Sequence, residues 1–586
     1  MNSPELQKQR LAASYVLAMA VSRIYPSAQF GTYTLTEDGF SYDFLIPNQS
    51  ISEHDLEAIE TEMKGIIEQS LQFSSTTRTT EEAHDFYVSL NQPFKLETLE
   101  ASKAKKHTFV VVGDNAFVDM GKIPAVYSTR EVGFISLRSV AGAYWNGDEQ
   151  RQMLTRIYGV SFPSRDELEL YIAYREEAQR RDHRTLAKKL SYTITDPGIG
   201  QGLMVFRPRG AYAMQELQRF IEDFYVNNDF MPVISPRISL REFWTNLGVT
   251  NPKALLYENL KASGKDAVTV SPTNAPFHLL SFYVRQRSYR DLPWRTYEVS
   301  QLYRKEKVSD LSGLYTTRQV TLDETFTVCS RDQVEIELET QFSQIMEVLR
   351  SFGLADFEIQ LHSTISDLHK SDSAYSEWDS CNTFLKNMIR KSGYSYREIA
   401  EITHDRGPKV YVVVRDAVKR QRQLSSIGFD LVIPYKMELQ YTGKDGQQHS
   451  PLVIRRTVLG SLERFLSVIM EQTIGNLPLW LQYEKCRIIP ITNKNELYAE
   501  TVQRRLHEAG IISTIDYSNE PIEGKIKQCE EDKVPYSIIV GEKEQKVNGI
   551  SIRLQGVGDI GLITIDTFIA SLLEEIKTKS IKTLLV

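Results

Sequence analysis

Apolar residues recur at three- and four-residue spacing over 8–24 and 53–72, which predicts an amphipathic helix for each stretch. FSYDFLI (40–46) and HTFVVVGDNAFVDM (107–120) carry the β-branched and aromatic runs of strands. Residues 1–165 therefore read as an α+β domain. The stretch 166–190 alternates charges around few large apolar residues, predicting a solvated helix within a linker over 166–195. SYTITDPGIGQG then supplies the turn residues of a boundary. Over 196–480 a helix, ELQRFIEDFYVNN, precedes the β-rich runs DAVTVSP, WRTYEVSQLYRKE, RQVTLDETFTVC, KVYVVVRD and SIGFDLVIP. These strands do not alternate with crossover helices, so a large antiparallel sheet is favoured over a doubly wound parallel one. Residues 481–586 read strand–helix–strand–helix–strand–strand–helix, a compact α/β domain inside an α+β chain.

Composition narrows the function without naming it. The 586 residues carry 69 basic and 76 acidic side chains, a net charge of −7, which argues against a strongly basic nucleic-acid coat protein. Four cysteines (Cys329, Cys381, Cys486, Cys529) lie far apart with no CxxC, excluding a local thiolate zinc site and fitting a reducing compartment. The N-terminus lacks a signal-peptide layout, and no apolar run approaches a membrane span. A cytoplasmic protein without membrane association is expected.

No GxxxxGK[ST], HExxH, GxSxG or strand-borne GxGxxG is present. Instead, Arg304 and Glu306 stand two apart in a strand-like run, so their side chains share a face. An Arg there can clamp a phosphate and a carboxylate can accept from an adenine amino group; a strand-edge salt bridge is the plainer account of such a pair. TVLGSLERFLSVIMEQ opens a helix at Gly460, with Arg464 on its first turn within reach of a phosphate chain. A long helix leads into a strand ending at Pro236.

In this order the three segments resemble motifs 1, 2 and 3 of class II aminoacyl-tRNA synthetases, and the resemblance narrows to the threonyl-tRNA synthetase family. QRSYRDLPWRTYEVSQLYRKE is similar to the family's SYRDLP…RNE segment, and RRTVLGSLERF to HRAILGSMERF. AGAYWNGDEQRQMLTRIYG resembles its editing domain; WLQYEKCRIIPIT, SNEPIEGKIK and VPYSIIVGEKE resemble its anticodon-binding domain. The similarity runs from residue 10 to 586, without the family's N-terminal ubiquitin-like domain. It implies a degenerate editing-like domain (1–165), a class II catalytic domain (196–480) and an anticodon-binding-like domain (481–586).

The resemblance implies ATP with magnesium, an amino acid and tRNA as ligands, and a homodimer through the motif 1 helix and Pro236. Arg304 and Arg464 match the catalytic arginines. Arg304, Glu306, Arg318, Lys409, Gln423 and Arg464 are the implied ATP contacts. Thr273, Ala275, Glu324, Phe326, Arg406 and Arg455 are the implied amino-acid pocket. Asn519, Lys525 and Lys527 match tRNA-side positions, while the family's Arg-rich strand is reduced to Arg553.

The departures carry the argument. The family's catalytic zinc takes one Cys and two His, and these positions are Ala275, Phe326 and Arg455. None offers a zinc ligand, so no metal is expected there. The editing HxxxH is Tyr15 and Met19, and the CxxxH is Gly121 and Ala125; only Lys95 and Asp119 remain. A second motif 2 arginine is Thr316, and a Gln before the acidic run is Leu322. Phosphate-directed cations are kept while side-chain-directed ligands are replaced, which is the expected mark of a changed substrate. Arg455 either binds a polar substrate side chain or pairs with Glu324. The acceptor of the activated amino acid is tRNA, or a small-molecule amine or carrier thiol, and a non-catalytic tRNA-binding paralogue is the remaining alternative.

Overall fold

The computed structural model describes residues 4–36, 38–148, 150–247, 268–364, 373, 376–400 and 406–585. It divides into two compact units, Met1–Glu177 and Ala178–Val586.

In the first unit, helix Pro4–Ile24 is apolar on every side over its middle, so Ala12, Tyr15, Leu17 and Met19 are all fully buried. It packs with helix Leu56–Glu68 on a sheet ordered Gln29–Leu35, Phe40–Leu45, Met153–Phe162, Phe134–Tyr144. A three-stranded sheet, Phe73–Thr79, Lys106–Val112 and Phe117–Met120, accompanies helices Thr80–Ser89 and Pro93–Glu100. The helix expected over 53–72 is shorter: residues 53–55 form one tight turn in which the Asp55 carboxylate accepts the Ser52 N–H at 2.7 Å. The charged stretch predicted as one helix is two, Arg165–Arg181 and His183–Lys189. Asp182 divides them, its side chain accepting the Arg184 N–H at 2.8 Å as a helix cap.

The second unit is built on an eight-stranded sheet. Its order is Met231–Pro232, Trp294–Tyr303, Gln319–Cys329, Leu452–Thr457, Gln421–Phe429, Lys409–Arg415, Phe357–His362, Tyr396–Ile399. All pairings are antiparallel except the two outermost, which are parallel. Helices Pro208–Val226, Val334–Ser351, Trp378–Lys391 and Leu462–Thr473 share its main core. Of the strand expected over 266–272 the structure holds Val268–Val270, with 266 and 267 outside the described residues.

The last stretch forms a five-stranded sheet with helices Glu496–Glu508, Ile522–Glu531 and Ile565–Lys577. Sequence periodicity omits one of its strands, Gly558–Thr564, because Gly558 and Gly561 interrupt the apolar pattern and both take positive φ. No helix is long and apolar enough to cross a membrane among the described residues.

Candidate active site

Strands Trp294–Tyr303 and Gln319–Cys329 pair from Trp294 opposite Val328 to Tyr303 opposite Gln319, and the loop 304–318 closes them. On the other edge of Gln319–Cys329, Phe326 lies opposite Arg455. Helix Leu462–Thr473 begins behind a turn that needs Gly460: its φ is +78°, and a Cβ there would meet the Leu424 carbonyl at 2.5 Å. The buried Asp323 carboxylate fixes that turn, accepting the N–H groups of Val458 and Leu459 at 2.9 Å and of Gly460 at 2.7 Å. Burial pushes the Asp323 carboxyl up to about 7 against those bonds and the Tyr225 hydroxyl, which favour its ionised form. Ser461 then caps the helix by accepting the Arg464 N–H at 3.2 Å.

These elements enclose a cavity of about 510 Å³ whose wall holds Arg304, Arg406, Lys409, Arg455 and Arg464 against two carboxylates, Glu324 and Asp430. Arg464 is aimed by main-chain carbonyls: Nε donates to Tyr315 at 3.0 Å and Nη1 to Gln423 at 3.1 Å, with the Tyr315 ring 4.6 Å beneath it. No carboxylate neutralises it by direct contact among the described residues. The side chains of Arg304 and Lys409 have no hydrogen-bond or ion-pair partner among the described residues. Burial, then Arg455, pushes the Lys409 ammonium down to about 7, with Glu324 opposing. Burial likewise lowers Arg304. A buried excess of positive charge of this kind calls for an anion.

The far side of the cavity is different. Arg455 donates to Glu324 Oε1 through Nε at 2.9 Å and again through Nη2. Its guanidinium lies 5.9 Å over the Phe326 ring. Phe326 and Ala275 belong to an apolar cluster with Leu279, Phe282 and Val328, and the His278 ring packs 4.5 Å from Phe326. Glu324 Oε2, Asp430 Oδ2 and Arg406 Nη1 are buried without hydrogen-bond partners, the last two 3.7 Å apart.

Residues 258–473 match the tRNA synthetase class II core domain (G, H, P, S and T), and 485–575 match an anticodon binding domain. Threonine–tRNA ligase of Sulfurihydrogenibium sp. is 32% identical over 579 residues, 98% of this chain and 89% of its own length. That of Thermotoga petrophila is 33% identical over 587 residues, covering 100% and 90%. The chain belongs to the threonine–tRNA ligase family. A crystal structure of the RNA binding domain of threonyl-tRNA synthetase from Cryptosporidium parvum superposes with a TM-score of 0.63 at 26% identity, over 69% of this chain and 100% of that one.

The family's zinc does not fit here. Two of the three ligand positions are hydrocarbon, and the third is a cation already paired with Glu324.

Of the residues singled out from sequence, Arg304, Glu324, Arg406, Lys409, Gln423, Arg455 and Arg464 line the one cavity. Thr273, Ala275 and Phe326 are buried and form no part of its wall, because Arg455 covers Phe326 and Ala275 packs behind it. Glu306 and Arg318 also lie off the wall. Arg318 donates to the Glu306 carbonyl at 3.2 and 3.1 Å, and its own carbonyl accepts the Arg304 N–H at 2.8 Å, so the pair braces the loop base. Sequence reasoning missed Tyr315 and Asp430. Tyr315 had a signal, an aromatic in the glycine-containing loop between Arg304 and Arg318; Asp430 had none.

In the first unit, the Tyr15 hydroxyl donates to the Lys122 carbonyl at 2.9 Å and sits 2.2 Å from where a Gly121 Cβ would be. The tyrosine thus fills the space a larger side chain at 121 would need. Lys95 donates to Asp119 and to the Tyr42 hydroxyl, both at 2.8 Å, and Tyr87 donates to Asp119 at 3.0 Å. Met19 is fully buried and Ala125 exposed. In the last domain Lys525 is turned inward, its ammonium donating to the Asp516 carbonyl at 2.9 Å, whereas Asn519 and Lys527 are exposed.

Proposed function

We propose that this chain is an ATP-dependent, aminoacyl-adenylate-forming ligase that works without zinc and activates an amino acid other than threonine. One observation carries the reading: a single cavity holds Arg304, Lys409 and Arg464 free of carboxylate contacts, while Ala275, Phe326 and the Arg455–Glu324 pair stand at the zinc-ligand positions. ATP enters as its magnesium complex, which shares the phosphate charge. Arg304 and Arg464 orient the phosphates and stabilise the charge of the transition state. The amino acid's carboxylate oxygen attacks the α-phosphorus, the bond to the β-phosphate oxygen breaks, and pyrophosphate leaves. The buried, unpartnered Glu324 Oε2 is the acceptor best placed for the substrate's α-ammonium group.

The acceptor proposed is tRNA, whose terminal ribose hydroxyl attacks the acyl carbonyl and releases AMP. The anticodon-binding domain match and the exposed Asn519 and Lys527 support it. Exposed apolar residues along 231–240, Met231, Ile234, Ile238 and Leu240, support a homodimer through this segment. Amino-acid-dependent exchange of pyrophosphate into ATP, over a panel of proteinogenic, phosphorylated and hydroxylated amino acids, tests the activation step. Exchange with a non-threonine substrate is expected, followed by its esterification to tRNA. Transfer to an amine or thiol instead would replace the acceptor, and a chain that binds tRNA but exchanges nothing would be a non-catalytic paralogue.

A further inference from the structure

A buried ionic chain runs behind the loop 304–318, away from the cavity wall. His183 is 3% exposed. Its Nδ1 lies 2.7 Å from Glu471 Oε1, and its Nε2 lies 3.2 Å from the Ser312 carbonyl. Both neighbours are acceptors, and the two ring nitrogens face one each. The second Glu471 oxygen accepts from Arg420 at 2.8 Å and Arg422 at 3.1 Å, and both arginines also reach Asp416. Burial pushes the Glu471 carboxyl up, but His183 and the two arginines outweigh it and hold the carboxyl below its ordinary range. Asp182, His183 and Glu471 have the spacing of a metal site. With Glu471 Oε1 taken by the His183 ring and Oε2 by two guanidinium groups, a metal ion has no place there.

The Ser312 carbonyl belongs to a tight turn. It also accepts the Tyr315 N–H at 2.9 Å, while the Ser312 N–H donates to the Thr316 carbonyl at 3.1 Å. The turn is pressed against His183: Gly313 sits at φ +51°, and a Cβ there would meet His183 Nε2 and Arg184 Cγ at 2.7 Å each. Tyr315, two residues on from Gly313, holds Arg464 by its carbonyl and ring, carries the Arg422 guanidinium 4.5 Å over the same ring, and accepts the Gln423 N–H at its hydroxyl. Arg464 and Glu471 lie seven residues apart on helix Leu462–Thr473, hence on one face two turns apart.

We propose that His183 is a positioning residue for the ATP site. It holds the Ser312–Thr316 turn so that Tyr315 presents Arg464 to the phosphates, an action that rests on the ATP-binding reading above. No metal and no contact of His183 with substrate is involved.

Calorimetric titration of the full chain with magnesium–ATP tests it, with thermal unfolding measured alongside. His183→Phe fills the space without donors and should weaken ATP binding about tenfold. His183→Gln keeps an N–H for the Ser312 carbonyl and should recover most of that loss, although both variants lose the ring's bond to Glu471, keep the backbone one, and should unfold at similar temperatures. Tyr315→Leu should match His183→Phe, and the double variant should lose no more than either alone, because both act along one path. It also keeps the test alive should His183→Phe fail to fold. Unchanged ATP affinity in His183→Phe, equal loss in the Phe and Gln variants, or additive losses in the double variant would each overturn the role of His183 while the ATP site stands. A native chain that binds no ATP overturns both.

Discussion

The two units of the chain each bury a cluster of polar side chains, and the clusters differ in how they are satisfied. In the first unit Lys95, Asp119, Tyr42 and Tyr87 bond to one another, and Tyr15 occupies the space above Gly121. In the second, the side chains of Arg304 and Lys409 face a cavity without a hydrogen-bond or ion-pair partner, Lys409 lying 5.2 Å over the Tyr411 ring, and Arg464 is held by carbonyls and a ring, all among the described residues. A closed network stabilises a fold; cations left open in a cavity are charges awaiting a counter-ion. The contrast is between a polar network closed on itself and cations open to an anion.

Substitutions should respond in opposite ways in the two regions. Lys95→Ala strands the Asp119 charge in the interior and should cost about 3–5 kcal/mol in thermal or denaturant unfolding, with pyrophosphate exchange per folded molecule unchanged. Arg304→Ala should do the reverse, lowering exchange by about 10²–10³-fold with little change in unfolding temperature. If Arg304→Ala unfolds the chain while Lys95→Ala silences exchange, the comparison is broken. Gly121→Ala sets a Cβ against the Tyr15 hydroxyl and should cost about 1–3 kcal/mol, which Tyr15→Phe in the same chain should relieve, as read by unfolding.

The smallest effect expected is a pH dependence. Lys409 is held near 7, so its ammonium is lost as pH rises through that value, and ATP affinity should fall by up to about tenfold with it. Lys409→Met should flatten that part of the profile. The unfolded chain keeps this lysine protonated up to its ordinary range. Stability from this group therefore rises with pH between about 7 and that range, opposite in sign to the binding effect.

Much of this was legible in the sequence. The lack of alternation between strands and crossover helices pointed to the antiparallel sheet, and Arg304, Lys409, Gln423 and Arg464 do meet around one cavity. Local rules were less reliable where a single residue changes the backbone. Asp182 splits a continuous charge pattern into two helices, and Gly558 and Gly561 hide a strand. The contact of Arg455 with Glu324 is a matter of register: Phe326 lies opposite Arg455 across the ladder, and Glu324, two residues back on the same face, is within reach. The role of Tyr315 depends on a turn that packs against His183, more than a hundred residues earlier, and no local pattern encodes that distance.

The most direct test is pyrophosphate exchange on chain stripped of metal by a zinc chelator and resupplied with magnesium alone, comparing threonine with the amino-acid panel. The account predicts that exchange persists with a substrate other than threonine and that no stoichiometric zinc is recovered from the chelated fraction. Exchange that prefers threonine and disappears on zinc removal would contradict it.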